Sequence, residues 1–257
     1  MSKIKLTKKF LENLYSKYNK KNSADDPVWN VLIQQDKTDQ EILAFISALY
    51  AFGNIKQINN TLSKILNLFL PSALNRILDL DYISYLERNL EINHRFLFHS
   101  EFIGLMKTLN KVYAEYGSLK KLFLKHYSSE DKNLKTAIIF FSRYLRNEMQ
   151  SLGTKSRKIK FLFPSPENRS ACKRINLFLR WMVRKDNVDL GLWNEIRTSQ
   201  LIIPLDTHIY QIAKHYDLTR LKSPSWNMAV EITENLKKFD AEDPVKYDFA
   251  LSHLKIK

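Results

Sequence analysis

The stretch LIIPLDTHIYQIAKHYDL, residues 201–218, joins an apolar run and a proline to the beginning of a helix. After Asp206, apolar residues recur with helical spacing, at Ile209, Ile212, Ala213 and Tyr216. This spacing predicts an amphipathic helix that begins directly after the carboxylate. As the N-cap, Asp206 would accept a backbone N–H bond and stabilise the helix by about 1 kcal/mol. A cap also holds the carboxylate in place, so Asp206 is a candidate for chemistry as well.

Helical spacing continues through most of the chain, as at Ile42, Phe45, Ile46 and Leu49. Five glycines and seven prolines in 257 residues leave few turns for a many-stranded sheet. The sequence therefore predicts an all-α protein, with helices at about 173–184, 207–216 and 243–254. With 44% hydrophobic residues, the chain can form one large domain or two closely packed lobes.

The formal net charge of +14 indicates a polyanionic partner. Nucleic acid, an anionic membrane surface or an acidic protein would each balance this charge, and a solvated basic surface is the plain alternative. Apolar runs stay below eighteen residues, and MSKIKLTKKFLENLY at the start is typical of a basic amphipathic helix rather than a signal peptide. We therefore expect a cytoplasmic protein without a membrane segment.

The single cysteine excludes an internal disulfide framework and a four-cysteine zinc or iron–sulfur site. Histidines at 94 and 99 lack clustered carboxylates nearby in sequence, so we expect no metal.

The segment 155–185 is strongly basic: it contains ten Lys or Arg and one acidic residue, Glu167. Aromatic residues are interleaved with them, which makes the segment a candidate phosphate-facing surface.

Lys173 lies at the first turn of an apolar helix, in SPENRSACKRINLFLRWMV, residues 165–183. A cation at a helix N-terminus is disfavoured by several tenths of a kcal/mol or more, about the size of the macrodipole effect. If it is partly desolvated and close to Arg174, this lysine would favour the neutral amine, a nucleophile suited to forming a Schiff base with a sugar C1′. The alternative is a lysine that simply extends to solvent.

The order of Lys173, apolar helix, connection and IIPLDTHI (residues 202–209) resembles the helix–hairpin–helix DNA glycosylases, which include endonuclease III and the 8-oxoguanine glycosylases. In that superfamily a hairpin ends in a lysine that opens a helix, and a proline-containing loop delivers an aspartate to the next helix. The phrases FLRWMVRKDNVDLGLW (178–193) and EDPVKYDFAL (242–251) resemble a bacterial branch of it. The 33-residue gap from Lys173 to Asp206 is most similar to the archaeal-type 8-oxoguanine glycosylases.

The resemblance implies an all-α fold of two lobes with the substrate cleft between them. Residues 38–187 would form a helical barrel lobe ending in the lysine helix, and residues 1–37 with 188–257 would form the other lobe. Lys173 and Asp206 would face each other across the cleft. The implied activity is that of a bifunctional DNA glycosylase and AP lyase acting on an oxidised purine, 8-oxoguanine, without a cofactor. The implied partner is double-stranded DNA containing a damaged base, bound by a monomer associated with the nucleoid.

The resemblance also suggests residues around the lesion. Gln57 is a candidate for a base edge, Trp181 and Trp193 for stacking on a flipped purine, and Asp248 for accepting bonds from it. The alternative for Gln57 is an ordinary exposed position on a helix. The two tryptophans would otherwise belong to the core, and Asp248 would otherwise form a surface salt bridge. The hairpin PENRSACK (166–173) contains no glycine. DNA contacts are expected from Arg169, Ser170, Arg174 and His208.

Three other functions remain open at this stage. An oxidised-pyrimidine or alkylated-base glycosylase would use the same residues on another lesion. A non-catalytic DNA-binding protein of the same fold would keep the basic surface without the chemistry. A basic scaffold for RNA or an acidic protein would explain the charge but not the pairing of Lys173 with Asp206.

Overall fold

The computed structural model describes residues 6–20, 31 and 34–254. Within these residues the chain forms helices joined by turns and contains no β-strand, only the isolated bridges His94–Leu97 and Lys185–Leu190. The prediction of an all-α protein is confirmed. In the same described part of the chain, every helix is too short or too polar to cross a membrane.

The chain divides into two compact units that alternate along the sequence. The first comprises Met1–Ala24, Ser129–Thr136 and Ser165–Lys257, and the second comprises Asp25–Ser128 and Ala137–Pro164. These units differ from the two predicted lobes at residues 25–37, at residues 129–136 and at residues 165–187, and the last segment groups with the terminal helices. The physical reason is that this segment carries buried arginines whose carboxylate partners lie near the C-terminus.

The helices of the first unit are Lys8–Tyr18, Lys173–Val183, Thr207–His215, Trp226–Leu236 and Asp248–Leu251, with short 3-10 turns at Pro166–Asn168 and Thr198–Gln200. We call Lys173–Val183 the lysine helix and Thr207–His215 the aspartate helix. The helices of the second unit are Lys37–Tyr50, Ile55–Asn67, Ala73–Leu78, Leu80–Asn89, His99–Tyr116, Leu119–Leu124, most of Lys135–Ser151, and Ile159–Leu162.

The predicted helices at 173–184 and 207–216 are confirmed to within one residue. The predicted helix at 243–254 is wrong, because only Asp248–Leu251 is helical there. A turn precedes that helix, since the Asp243 carboxylate accepts from Arg184 Nε at 2.9 Å and its backbone N–H is bonded to Asp240.

The lysine helix is buried on every side over most of its length. All residues from Arg174 to Val183 are buried, with exposures between 0 and 7%. A helix buried in this way is expected to be apolar all round, yet this one contains Arg174 and Arg180. Buried arginines require carboxylate or hydrogen-bond partners, and those partners organise the candidate site.

Candidate functional site

The hairpin before the lysine helix contains two residues in the left-handed backbone region that usually favours glycine. Arg169 has φ 58° and Cys172 has φ 50°. Each such residue costs about 1–2 kcal/mol, so surrounding contacts must hold the conformation. One of these is the backbone N–H of Trp226, which donates to the Arg169 carbonyl at 3.3 Å. The hairpin thus adopts glycine-like geometry without glycine.

Side chains fix the rest of the hairpin. Ser170 Oγ accepts from the Cys172 N–H at 3.1 Å, and Cys172 Sγ donates back to the Ser170 carbonyl at 3.4 Å. Asn176 Nδ2, one turn into the helix, donates to the Ala171 carbonyl at 3.0 Å. Cys172 is buried while Arg169 is exposed. The hairpin is therefore anchored through the buried Cys172 and exposes Arg169 to solvent.

Lys173 is the first residue of the lysine helix, as predicted, and its side chain is half-buried. Arg174 follows it and is buried at 6% exposure, and this burial lowers the pKa of its guanidinium to about 9. Two adjacent cations therefore occupy the positive end of a helix dipole, where positive charge is disfavoured. The reactivity of Lys173 stays a prediction.

Asp206 caps the aspartate helix. Its Oδ1 accepts from the Ile209 N–H at 2.8 Å, and its carbonyl accepts from the Tyr210 N–H at 2.9 Å. The preceding residues 201–205 are all buried, and the Ile203 N–H donates to Thr233 Oγ1 at 3.0 Å. The buried segment before Asp206 and the helix after it therefore both fix the position of the half-buried carboxylate.

Asp248 connects the two predicted reactive residues electrostatically. It is buried at 4% exposure, and Arg180 Nη1 donates to its Oδ2 at 2.6 Å. Burial raises the pKa of Asp248, Arg180 opposes that rise, Asp206 adds to it, and Lys173 lowers it. Lys173 and Asp206 therefore each lie within electrostatic range of Asp248 in the first unit.

Arg180 belongs to a larger buried cluster on the lysine helix. Its Nε donates to Asp189 Oδ1 at 3.0 Å, and Arg184 donates from Nη1 to the other oxygen of the same aspartate. Arg184 Nη1 also contacts Asp186 Oδ2 at 3.0 Å. We define the ion-pair network as Arg180, Arg184, Asp186, Asp189, Asp243 and Asp248.

The residues of this network come from the two phrases that carried the family resemblance. FLRWMVRKDNVDLGLW contributes four of them and EDPVKYDFAL the other two. The network was missed in the sequence, although two arginines four positions apart on an apolar helix are a signal for it. Asp248 lies in an ion pair with Arg180, as the alternative of a salt bridge proposed, but the pair is buried and not at the surface. Its contact with a base stays a prediction.

Trp181 and Trp193 are core residues. Both have 0% exposure, and Trp193 packs edge-on against Phe178 with ring centroids 5.2 Å apart. Neither ring offers an exposed face on which a base could stack in this structure. The other suggested residues are more accessible: Gln57 is exposed on Ile55–Asn67 of the second unit, and His208 is half-buried on the aspartate helix.

The second unit carries a surface of aromatic rings and cations, of which the sequence indicated only the part within residues 155–185. Phe52, Phe96 and Phe161 are mutually packed, with centroid separations of 5.2, 5.1 and 4.5 Å. Phe96 and Phe161 are nevertheless 38% and 36% exposed. The Arg95 guanidinium lies 5.9 Å from the centroids of both Phe52 and Phe96.

Phe98 extends this surface. It is 48% exposed, and Lys158 Nζ lies 3.5 Å from its ring centroid. We define the aromatic–cation surface as Phe52, Arg95, Phe96, Phe98, Lys158 and Phe161. Exposed rings rimmed by cations suit a partner that offers both flat apolar faces and negative charge.

Residues 26–257 match the family model described as "Protein of unknown function (DUF2400)". Because the match covers nearly the whole chain, the chain belongs to this family. No curated protein and no solved structure matches it.

Proposed function

We propose that this protein is a base-excision-repair DNA glycosylase with AP lyase activity, acting on an oxidised purine, 8-oxoguanine. The observation that carries the proposal is that Lys173 and Asp206 both lie at helix N-termini of one unit. There the helix dipole disfavours the lysine cation, and the cap bond to the Ile209 N–H fixes the carboxylate. The fold we propose for it is the two-lobed helix–hairpin–helix glycosylase fold with its substrate cleft between the lobes.

In the proposed reaction the damaged nucleotide first rotates out of the duplex, at a cost of a few kcal/mol (about the energy of unstacking one base). The Lys173 amine attacks C1′, and the N-glycosidic bond breaks as the base departs with its bonding electrons and takes up a proton. Ring opening gives a Schiff base between the lysine nitrogen and C1′. Loss of a proton from C2′ then expels the 3′ phosphate by β-elimination.

The role proposed for Asp206 follows from its geometry. Its cap bond to the Ile209 N–H holds the carboxylate in one orientation before substrate arrives. A carboxylate fixed in this way stabilises positive charge that develops on the sugar without needing to reorganise. Capping and chemistry therefore use the same side chain. Asparagine, the uncharged isostere, can keep the cap while it removes the charge, so Asp206→Asn separates the two roles.

The DNA partner is supported by charge and by two surfaces. The net charge of +14 favours a polyanion, and the exposed Arg169 at the hairpin is available to a phosphate. The aromatic–cation surface of the second unit would stack an unpaired base. Together these favour double-stranded DNA with a locally unstacked base as substrate, bound by a monomer in the cytoplasm at the nucleoid.

A second candidate function is a non-catalytic DNA-binding protein of the same fold. The burial of Trp181 and Trp193 favours it, because the two rings expected to hold a flipped purine are part of the core. A glycosylase for another damaged base is the remaining alternative, since the chemistry of Lys173 and Asp206 is independent of the base removed.

The experiment that separates these functions measures base release from matched duplexes. The panel contains 8-oxoguanine, an oxidised pyrimidine, an alkylated purine, uracil or no lesion, and free base and strand cleavage are quantified in parallel. The proposal predicts release of 8-oxoguanine together with cleavage 3′ to the lesion. Release of a different base would reassign the substrate, and binding without release from any duplex would establish the non-catalytic function.

A further inference from the structure

We propose that Arg180 and Asp248 form a positioning pair that sets the electrostatic environment of Lys173 and Asp206. This inference rests on the proposed function, because it assigns the pair a task in the lysine chemistry. Asp248 acts through its charge on the other two residues, without itself forming a bond to substrate. It thus takes a different role from the base contact that the sequence suggested.

The geometry of the lysine helix carries the first step. Lys173 and Arg180 are seven residues apart, which places them on the same face of the helix, about 10 Å apart along its axis. Arg180 is held by two carboxylates at once, Asp189 at Nε and Asp248 at Nη1, at 3.0 and 2.6 Å. A guanidinium fixed by two partners cannot rotate away, so the Asp248 carboxylate is fixed as well.

The second step concerns the charge of the network. Four aspartates accompany two arginines, so the ion-pair network carries an acidic excess when its carboxylates are ionised. Lys173 opens the same helix. A negative excess behind a lysine stabilises the cationic Schiff base and the positively charged sugar that precede base loss.

The third step identifies which groups face Asp248. Arg180 bonds it directly, and the charges of Asp206 and Lys173 act on it. The helix Lys8–Tyr18 also packs against Asp248–Leu251, and its carboxylate at Glu12 is engaged by Tyr247 Oη at 2.6 Å and Lys246 Nζ at 3.0 Å. Glu12 thus bonds the two residues before Asp248 and not Asp248 itself, so its substitution is a matched control for the loss of a carboxylate near this helix.

Neutralising Asp248 has two opposite consequences for Lys173. Removing the negative charge makes the ammonium easier to deprotonate, so the amine should titrate at lower pH. It also removes stabilisation from the cationic intermediates, so the maximal rate should fall. A shift of the pH profile together with a lower plateau distinguishes a positioning role from a general loss of packing.

The test compares Asp248→Asn with Glu12→Gln in the full chain. Lysines are reductively methylated with 13C-formaldehyde and titrated by NMR, and the Lys173 signal is assigned by its loss in Lys173→Arg. In Asp248→Asn the midpoint should fall by about half a pH unit or more, the size of one removed charge at partly screened distances. In Glu12→Gln it should stay at the wild-type value. This readout is independent of glycosylase activity.

The activity arm then uses borohydride trapping on an abasic duplex across pH. Asp248→Asn should trap at least about tenfold more slowly at its plateau, with the profile displaced to lower pH. An unchanged Lys173 midpoint in folded Asp248→Asn would overturn the inference. If the wild type gives no adduct, the proposed function fails, while the NMR arm still decides the electrostatic role.

Two further variants guard against a folding defect. Asp248→Glu keeps the charge and should retain the wild-type midpoint, whereas Asp248→Ser removes it and should reproduce the shift of Asp248→Asn. Thermal unfolding of each variant is measured first. If Asp248→Asn does not fold, Asp248→Ser takes its place, and an unshifted midpoint there would equally overturn the inference.

Discussion

Arg180 Nη1 donates a hydrogen bond of 2.6 Å to Asp248 Oδ2, although the two residues are 68 positions apart in the chain. This contact joins the lysine helix to Asp248–Leu251, near the end of the described chain. Both side chains are nearly inaccessible, at 3% and 6% exposure. Because a buried pair leaves a costly isolated charge when one partner is removed, the contact fixes the two segments together.

The stability of the first unit should depend strongly on Asp189, which receives both Arg180 and Arg184. Asp189→Ala would leave two buried guanidinium groups short of a carboxylate and should lower the free energy of unfolding by about 3–5 kcal/mol. Urea unfolding measures the change. Glu234→Ala, which removes the exposed partner of Lys237, should cost less than about 1 kcal/mol. Similar losses in the two variants would contradict the importance of the network.

Asp206 offers a separation of capping from chemistry. Asp206→Asn keeps a good N-cap and should leave the thermal midpoint close to wild type, while the rate of base release falls about 100-fold or more because the charge is lost. Asp206→Ala loses the bond to the Ile209 N–H as well and should cost about 1 kcal/mol of stability. Full activity in the asparagine variant would restrict Asp206 to a structural role.

The pH dependence of folding should include a contribution from His94. It is buried at 2% exposure; its Nε2 lies 3.0 Å from the Phe52 carbonyl, and its Nδ1 lies 3.0 Å from Thr61 Oγ1. Burial lowers the pKa of His94, with the Phe52 carbonyl acting in the opposite direction. The neutral form is therefore favoured in the folded protein.

The sign follows from that depressed pKa. The stabilising contribution of His94 is present above the ordinary histidine value of about 6.5 and is lost as the pH falls through the lower folded value. Between about pH 7.5 and about pH 5, wild type should lose more stability than His94→Gln, in which no ring titrates. Urea unfolding of both proteins at the two pH values checks this, and parallel losses would exclude a role for His94.

The aromatic–cation surface should contribute to binding DNA that contains an unpaired base. Phe96→Ala should weaken that binding by about 1–3 kcal/mol, the range for loss of one base–aromatic stack, with a smaller effect on fully paired duplex. Fluorescence of 2-aminopurine at the unpaired position reports stacking directly. Tyr85→Ala is the matched control, since Tyr85 is a 55% exposed aromatic of the same unit outside this surface. Equal effects of the two substitutions would refute the assignment.

The local features of the fold could be predicted from the sequence because they depend on neighbours in the chain. Apolar spacing placed the lysine and aspartate helices, and the short-range chemistry of Asp206 predicted its cap. The C-terminal helix was predicted too long because the pattern there carries no sign that Arg184 holds Asp243 in a turn.

The long-range features could not be predicted in this way. The pairing of Arg180 with Asp248 depends on two segments that only the fold brings together. Burial of Trp181 and Trp193 likewise depends on what packs against the lysine helix, and a tryptophan at helical spacing suits core and surface equally. The aromatic–cation surface combines rings from three separate stretches of the second unit, so none of them indicates it individually.

The central claim is that Lys173 becomes covalently attached to a sugar C1′. The most direct measurement is borohydride trapping of wild type on a duplex containing 8-oxoguanine, followed by mass spectrometry of the adduct peptide. Lys238→Gln is the control for loss of one positive charge, since Lys238 is an exposed lysine of the same unit. The account predicts an adduct on Lys173 that persists in Lys238→Gln and disappears in Lys173→Gln. An adduct that survives Lys173→Gln, or base release without any adduct in wild type, would contradict it.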